Sequence, residues 1–163
     1  MEITHAVLVR VATVWLQQNH TVVATEITTA VNEIPDAIGF KNYETTVVEC
    51  KTSKTDFIRN SKKTHERGGY GVGNKRWFLV PKGLVSVDEV PEGWGLLEYR
   101  ESGHVRGYYI KIIVAAPRQE GDFVRLRQER LMLISIARRA LEAVSQVKPL
   151  TLGCEEEEEG TNE

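Results

Sequence analysis

Residues 34–57 read IPDAIGFKNYETTVVECKTSKTDF, and the organisation of the chain follows from them. Thr45–Lys51 (TTVVECK) is rich in β-branched residues and reads as a strand, with Ile34–Phe40 a shorter strand before the turn Asn42-Tyr43-Glu44. Ser53 then offers a helix N-cap with Asp56 three residues on, a capping-box spacing with Asp in place of Glu. The helix should run to about Arg67, where Gly68, Gly69, Gly71 and Gly73 break it into a flexible loop. Arg76–Val80 (RWFLV), stopped by Pro81, reads as a buried strand, and a helix of that length between two strands suits a parallel crossover.

The flanks extend this pattern. His20–Thr29 is a further strand, preceded by an amphipathic helix over Glu2–Asn19 carrying Ala6, Val7, Val9, Val11, Val14 and Leu16. Residues 84–92 form a short irregular connection; Trp94–Tyr99 and Tyr108–Ala115 are strands joined through Glu101-Ser102-Gly103. Gly121–Val147 is a long helix marked by Phe123, Leu126, Leu131, Ile134, Leu141 and Val144. The expected fold is α/β, a mixed β-sheet flanked by helices with a long C-terminal helix, in one domain over residues 1–152. Residues 153–163 are an acidic, low-complexity tail expected to be disordered.

Composition narrows the class. The net charge of −2 over 163 residues looks unpromising for a nucleic-acid partner, but six of the 23 acids lie in residues 155–163, so the first 154 residues hold 21 bases against 17 acids. A hydrophobic share of 41% suffices for one core. No apolar run approaches the roughly 20 residues of a membrane span. The opening residues lack the basic start and small-residue cleavage site of a signal peptide. Cys50 and Cys154 make no disulfide framework, and His5, His20, His65 and His104 are scattered. A soluble, reduced, cytoplasmic protein without structural zinc is expected.

The chemistry lies at the end of the third strand. Glu49 and Lys51, two apart, share a face, while Val48 and Cys50 face the other way. Strand pairing can bring Asp36 beside Glu49, placing two carboxylates and an ammonium together at the end of an apolar strand, where unpaired charge is costly to bury. Two carboxylates and a main-chain carbonyl, that of Cys50, form a hard oxygen site suited to Mg²⁺ or Mn²⁺. Such an ion neutralises charge on a phosphodiester and lowers the pKa of bound water, while Lys51 orients the water or holds the phosphate.

Asp36 followed after 13 residues by Glu49-Cys50-Lys51, with a literal Pro35-Asp36, resembles the PD-(D/E)xK signature of restriction-endonuclease-like nucleases over residues 20–81. The run of TEI, PDAIGF, VVECKTSKTDF and RWFLVP is similar to the small MmcB-like DNA-repair proteins and related phage nucleases. That resemblance implies a metal-dependent DNA nuclease of a bacterial cell or phage-infected host, acting in repair, recombination or phage DNA processing. It adds Glu26 as a second-metal or water-holding ligand. It also leaves a homodimer open, because cutting both strands needs two sites. Ser53 and Asp56 match positions after the lysine and serve equally well as a helix N-cap pair.

Between residues 51 and 76 eight bases face only Asp56 and Glu66. Lys54, Arg59, Lys62, Lys63, Arg67, Lys75 and Arg76, with Tyr70 as a stacking side chain, are candidate contacts to a phosphate backbone. The glycine loop lacks GxxxxGK[ST] and follows no strand, so it is no P-loop. Trp77 and Phe78 read as core, and Arg125, Arg127, Arg130, Arg138 and Arg139 as a solvated helix face. The rival to a nuclease is a catalytically silent nucleic-acid-binding or assembly module on the same fold. A third reading makes the acidic tail a DNA mimic that docks on a protein partner.

Overall fold

The computed structural model describes residues 3–27, 34–66, 71–102 and 107–145, the side chains of residues 62–66 excepted. In chain order the elements are α1 (His5–Gln17), β1 (Val22–Thr25), β2 (Ala37–Lys41), β3 (Glu44–Cys50), α2 (Lys54–Glu66), β4 (Lys75–Pro81), a 3-10 turn at Val87–Glu89, β5 (Gly95–Glu101), β6 (Tyr108–Val114) and α3 (Phe123–Ser145). The six strands form one mixed sheet in sequential order. β3, β4 and β5 are parallel, and β1–β2, β2–β3 and β5–β6 are antiparallel.

Local chemistry accounts for the elements. Thr4 caps α1 by accepting the Val7 N–H. Asn42 takes φ 51° in the tight turn between β2 and β3, a conformation that asparagine tolerates. Ser53 caps α2, its Oγ accepting the Asp56 N–H at 3.3 Å, as the capping-box spacing predicts. α2 supplies the crossover that parallel pairing of β3 and β4 needs, and their continuous burial is what a sheet covered on both faces requires.

Strand alternation divides the core. α1 brings Leu8, Val11, Ala12 and Leu16 onto Ala37, Val48, Cys50, Trp77, Leu79, Leu97 and Tyr99. On the opposite face Phe57 of α2 packs with Phe78, Val80, Val85, Trp94 and Leu96. Met132 of α3 joins Ile27, Ile38, Phe40, Val47 and Val72. Phe78 stacks on Trp94 at 4.3 Å between centroids. Trp77 and Phe78 are thus both core, on opposite faces.

Two expectations are corrected. α3 does not dock through the apolar residues that mark it in sequence: Phe123, Leu126, Leu131, Ile134, Leu141 and Val144 are exposed, and the buried side chains are Arg125, Gln128, Glu129 and, as the apolar member, Met132. Arg125 donates to the carbonyls of Gly71, Gln119 and Glu120. Glu129 accepts from the Thr45 hydroxyl at 2.8 Å and the Gly73 N–H at 3.0 Å. A polar face that docks by hydrogen bonds has the same sequence pattern as a solvated one. The described part of the glycine loop, residues 71–74, is likewise built into the core: Val72 is fully buried, and Asn74 bonds both Thr45 and Gln119. Residues 67–70 and the tail lie outside the described residues. Among the described residues, no helix is long and apolar enough to cross a membrane.

Candidate functional site

β2 pairs with β3 with Ala37 opposite Val48, which brings Asp36, one residue before β2, level with the end of β3. Its Oδ2 accepts the Cys50 N–H at 2.7 Å. The same alternation that sends Val48 and Cys50 towards α1 turns Glu49 and Lys51 to the other face, where each is 7% exposed. Lys51 Nζ lies 3.3 Å from Glu49 Oε2 and 3.8 Å from Asp36 Oδ2. The three residues expected from sequence to act together do meet.

The electrostatics follow from burial and charge. Burial pulls the Lys51 pKa down, but Glu49, Asp36 and Asp56 outweigh it, and the net shift is upward, so the ammonium is held charged. The Cys50 thiol is pushed strongly up, first by burial and then by Asp36 and Glu49, with Lys51 acting the other way. Its sulfur belongs to the α1-side core, so only its main-chain carbonyl is left for the ligand role expected from sequence.

The sequence reading missed His5. This first residue of α1 places Nε2 3.2 Å from Asp36 Oδ1. The contact depends on α1 packing over the start of β2, and no local motif encodes it. Glu26 stands one residue beyond β1 with φ 53°, exposed to solvent. Among the described residues no group of three or more His, Cys, Asp and Glu is gathered to hold a metal ion, so Glu26 does not complete a three-acid set. Asp36 and Glu49 still converge on one ammonium, and with the Cys50 carbonyl they would make an all-oxygen donor set. That set fits Mg²⁺, which binds through one or two carboxylates and keeps several waters.

The candidate phosphate contacts are more divided. Lys54 is tied to the Glu89 carboxylate and to the Leu84 carbonyl. Lys75 pairs with Glu44 at 2.9 Å. Arg76 is 6% exposed, its guanidinium 4.4 Å above the Trp94 ring and packed on Gly71, where a Cβ would overlap it. These three are engaged inside the fold, and Arg59 is exposed on α2. The side chains of Lys62, Lys63, Arg67 and Tyr70 lie outside the described residues.

No protein-family model matches the chain, and no curated protein sequence does. A solved structure from Silicibacter pomeroyi, described as a protein of unknown function, is similar with a TM-score of 0.64 and 22% identity, over 96% of this chain and 100% of that one. At that identity the likeness carries the α/β fold alone.

Proposed function

We propose that the protein is a metal-dependent nuclease of the PD-(D/E)xK kind, hydrolysing phosphodiester bonds in DNA. One observation carries the reading: a buried lysine stands between two carboxylates, Glu49 and Asp36, at the open end of an apolar strand. Two carboxylates, one buried and one half-buried, converge there, and a cation joining them would offset their mutual repulsion. Asp36 Oδ1, Glu49 and the Cys50 carbonyl would hold Mg²⁺ or Mn²⁺, which supplies charge neutralisation at the phosphate and an activated water. Lys51, kept charged, donates to the phosphate oxygens or orients the attacking water. His5 positions Asp36 from the other side. Arg59 and the α2 side of the site would face the strand backbone, and a homodimer would use the exposed apolar residues of α3.

The test is cleavage of single-stranded, duplex and branched DNA with Mg²⁺, with Mn²⁺ and with EDTA. Metal-dependent cutting that falls at least about 100-fold in Lys51→Ala is expected. If wild type and Lys51→Ala behave alike on every substrate, the nuclease reading is wrong. Binding that survives EDTA without nicking would assign the chain to the silent-module reading instead.

A further inference from the structure

The buried residues of α3 are Arg125, Gln128, Glu129 and Met132, and from Ala137 to Ser145 every residue is exposed. Phe123, Leu126, Ile134, Leu141 and Val144 follow the opposite side, each more than half exposed. Contiguous apolar surface of this kind marks an interaction site. Beside the first half of α3 that side opens into a groove of about 620 Å³ against the turn between β2 and β3.

The groove is apolar with a cationic edge. Val22, Phe40, Leu126 and Leu133 line it, together with Lys41, Arg118 and Arg130. Of the lining acids, Glu129 is answered by Thr45 and Gly73, and Glu120 is exposed. Arg118 reaches Glu44 at 3.5 Å, whereas the side chains of Lys41 and Arg130 meet no acid among the described residues. On this side of α3 the cation therefore stands in the first half, at Arg130, and Leu133, Ile134, Ala137, Leu141 and Val144 follow it towards the C-terminal end.

The sequence after α3 has the matching order. Pro149 lacks the N–H that would prolong a helix; Leu150 and Leu152 come next, and then Glu155–Glu159, five acids without a base. Led back along α3, this segment passes its leucines over the apolar half before its acids arrive at Arg130. The lengths agree. Glu155 is ten residues beyond Ser145, a reach of up to about 33 Å. Arg130 lies 15 residues back from Ser145, about 22 Å along the helix. A tether this short sets an effective concentration on the order of millimolar, so weak contacts suffice to fill the groove.

We propose that residues 150–159 dock on α3 of the same chain, the leucines on Ile134 and Leu141 and the glutamates on Arg130 and Lys41. An acidic run too polar to build a core of its own is held there by cations that the fold leaves unanswered. The contact shields those cations from other polyanions. Phe123, Val124 and Leu131 lie outside the groove and remain for the second copy proposed above. The docking does not rest on the nuclease reading.

The test uses Cys154, which adjoins the first glutamate, as an anchor; Cys50 is fully buried. With a nitroxide on Cys154 of the full ¹⁵N-labelled chain, the amide signals of residues 126–134 and of Lys41 should broaden. Sodium chloride at about 1 M, where the Debye length falls to about 3 Å, should relieve that broadening at least about threefold. A full-length variant with Glu→Gln at each of positions 155–159 should lose it to the same extent at low salt, and Arg130→Gln should lose about half. Lys51→Ala should leave it unchanged, which separates failure here from failure of the nuclease reading. Broadening confined to the residues beside Ser145 overturns the proposal. So does broadening that persists in the Glu→Gln variant. Spin-labelled chain without ¹⁵N, mixed with unlabelled-thiol ¹⁵N chain, should leave the ¹⁵N signals sharp. Broadening in that mixture assigns the segment to a second copy and overturns docking within one chain.

Discussion

Two of the places where the described residues bury charge are built to different rules. At the α3 side each oxygen of Glu129 has a donor, Thr45 Oγ1 or Gly73 N–H, and Arg125 spends its guanidinium on three backbone carbonyls. Those charges hold α3 and the residue 71–74 segment on the sheet, and they leave nothing over. At the end of β3, Lys51 faces Glu49 and Asp36, with Asp56 adding a third negative charge nearby. There the acids gather on one lysine, with His5 and the Cys50 N–H also meeting Asp36. Charge answered by the fold's own backbone is architecture, whereas acids gathered on one lysine at a strand end are the arrangement on which the proposed metal site rests.

The comparison can be broken most directly by neutralising one member of each set. Asp36→Asn and Glu49→Gln should each lower metal-dependent DNA cleavage by about 100-fold or more. They should also abolish the rise in melting temperature that Mn²⁺ gives the wild type. In EDTA both should unfold within about 1 kcal/mol of the wild type, because each relieves like-charge repulsion as it removes a contact to Lys51. Glu129→Ala should do the reverse. Orphaning the Gly73 N–H and the Thr45 hydroxyl should cost about 2–4 kcal/mol in urea unfolding, with cleavage per folded molecule unchanged. A Glu129→Ala protein that is fully stable but inactive would erase the distinction.

Titration sharpens it further. The folded pKa of Lys51 is raised, so the stability its charge supplies is complete below the ordinary lysine value and is lost as pH rises through the folded value. Thermal unfolding followed from about pH 9 to 12 should show that alkaline loss in the wild type, and Lys51→Met should flatten it. The smallest effect belongs to the surface. Glu89 is held down to about 2, chiefly by its hydrogen bond from Lys54 and then by Ser86. Its contribution is present above the ordinary value of 4.5 and is lost as pH falls from there towards about 2. Glu89→Gln should remove only that acid limb, and added salt should shrink the difference, as it does for any exposed ion pair.

Local chemistry explains what the sequence could say about this molecule. The strands, the Ser53 cap and the side-sharing of Glu49 and Lys51 rest on contacts within a few residues or on period-2 alternation, so residues 34–57 carried the fold and the centre of the site. Three features were out of reach because they are made by distant chain segments. His5 reaches Asp36 only once α1 lies across β2. Lys54 and Arg76 read as a cationic surface, but Glu89 and Trp94 take them up from elsewhere in the chain. On α3 the apolar periodicity pointed to the wrong face, because the docked side is fastened by Arg125 and Glu129 and so resembles a solvated one.

The 2.7 Å bond from the Cys50 N–H to Asp36 Oδ2 gives the site its own reporter. The amide belongs to the last residue of a buried strand, so its exchange with solvent is slow for as long as the carboxylate holds it. Anything that draws on Asp36, a cation at Oδ1 or a substitution at His5, changes the strength of that one bond. Binding at Asp36 can therefore be followed at a single backbone signal, without a substrate and without labelling any side chain.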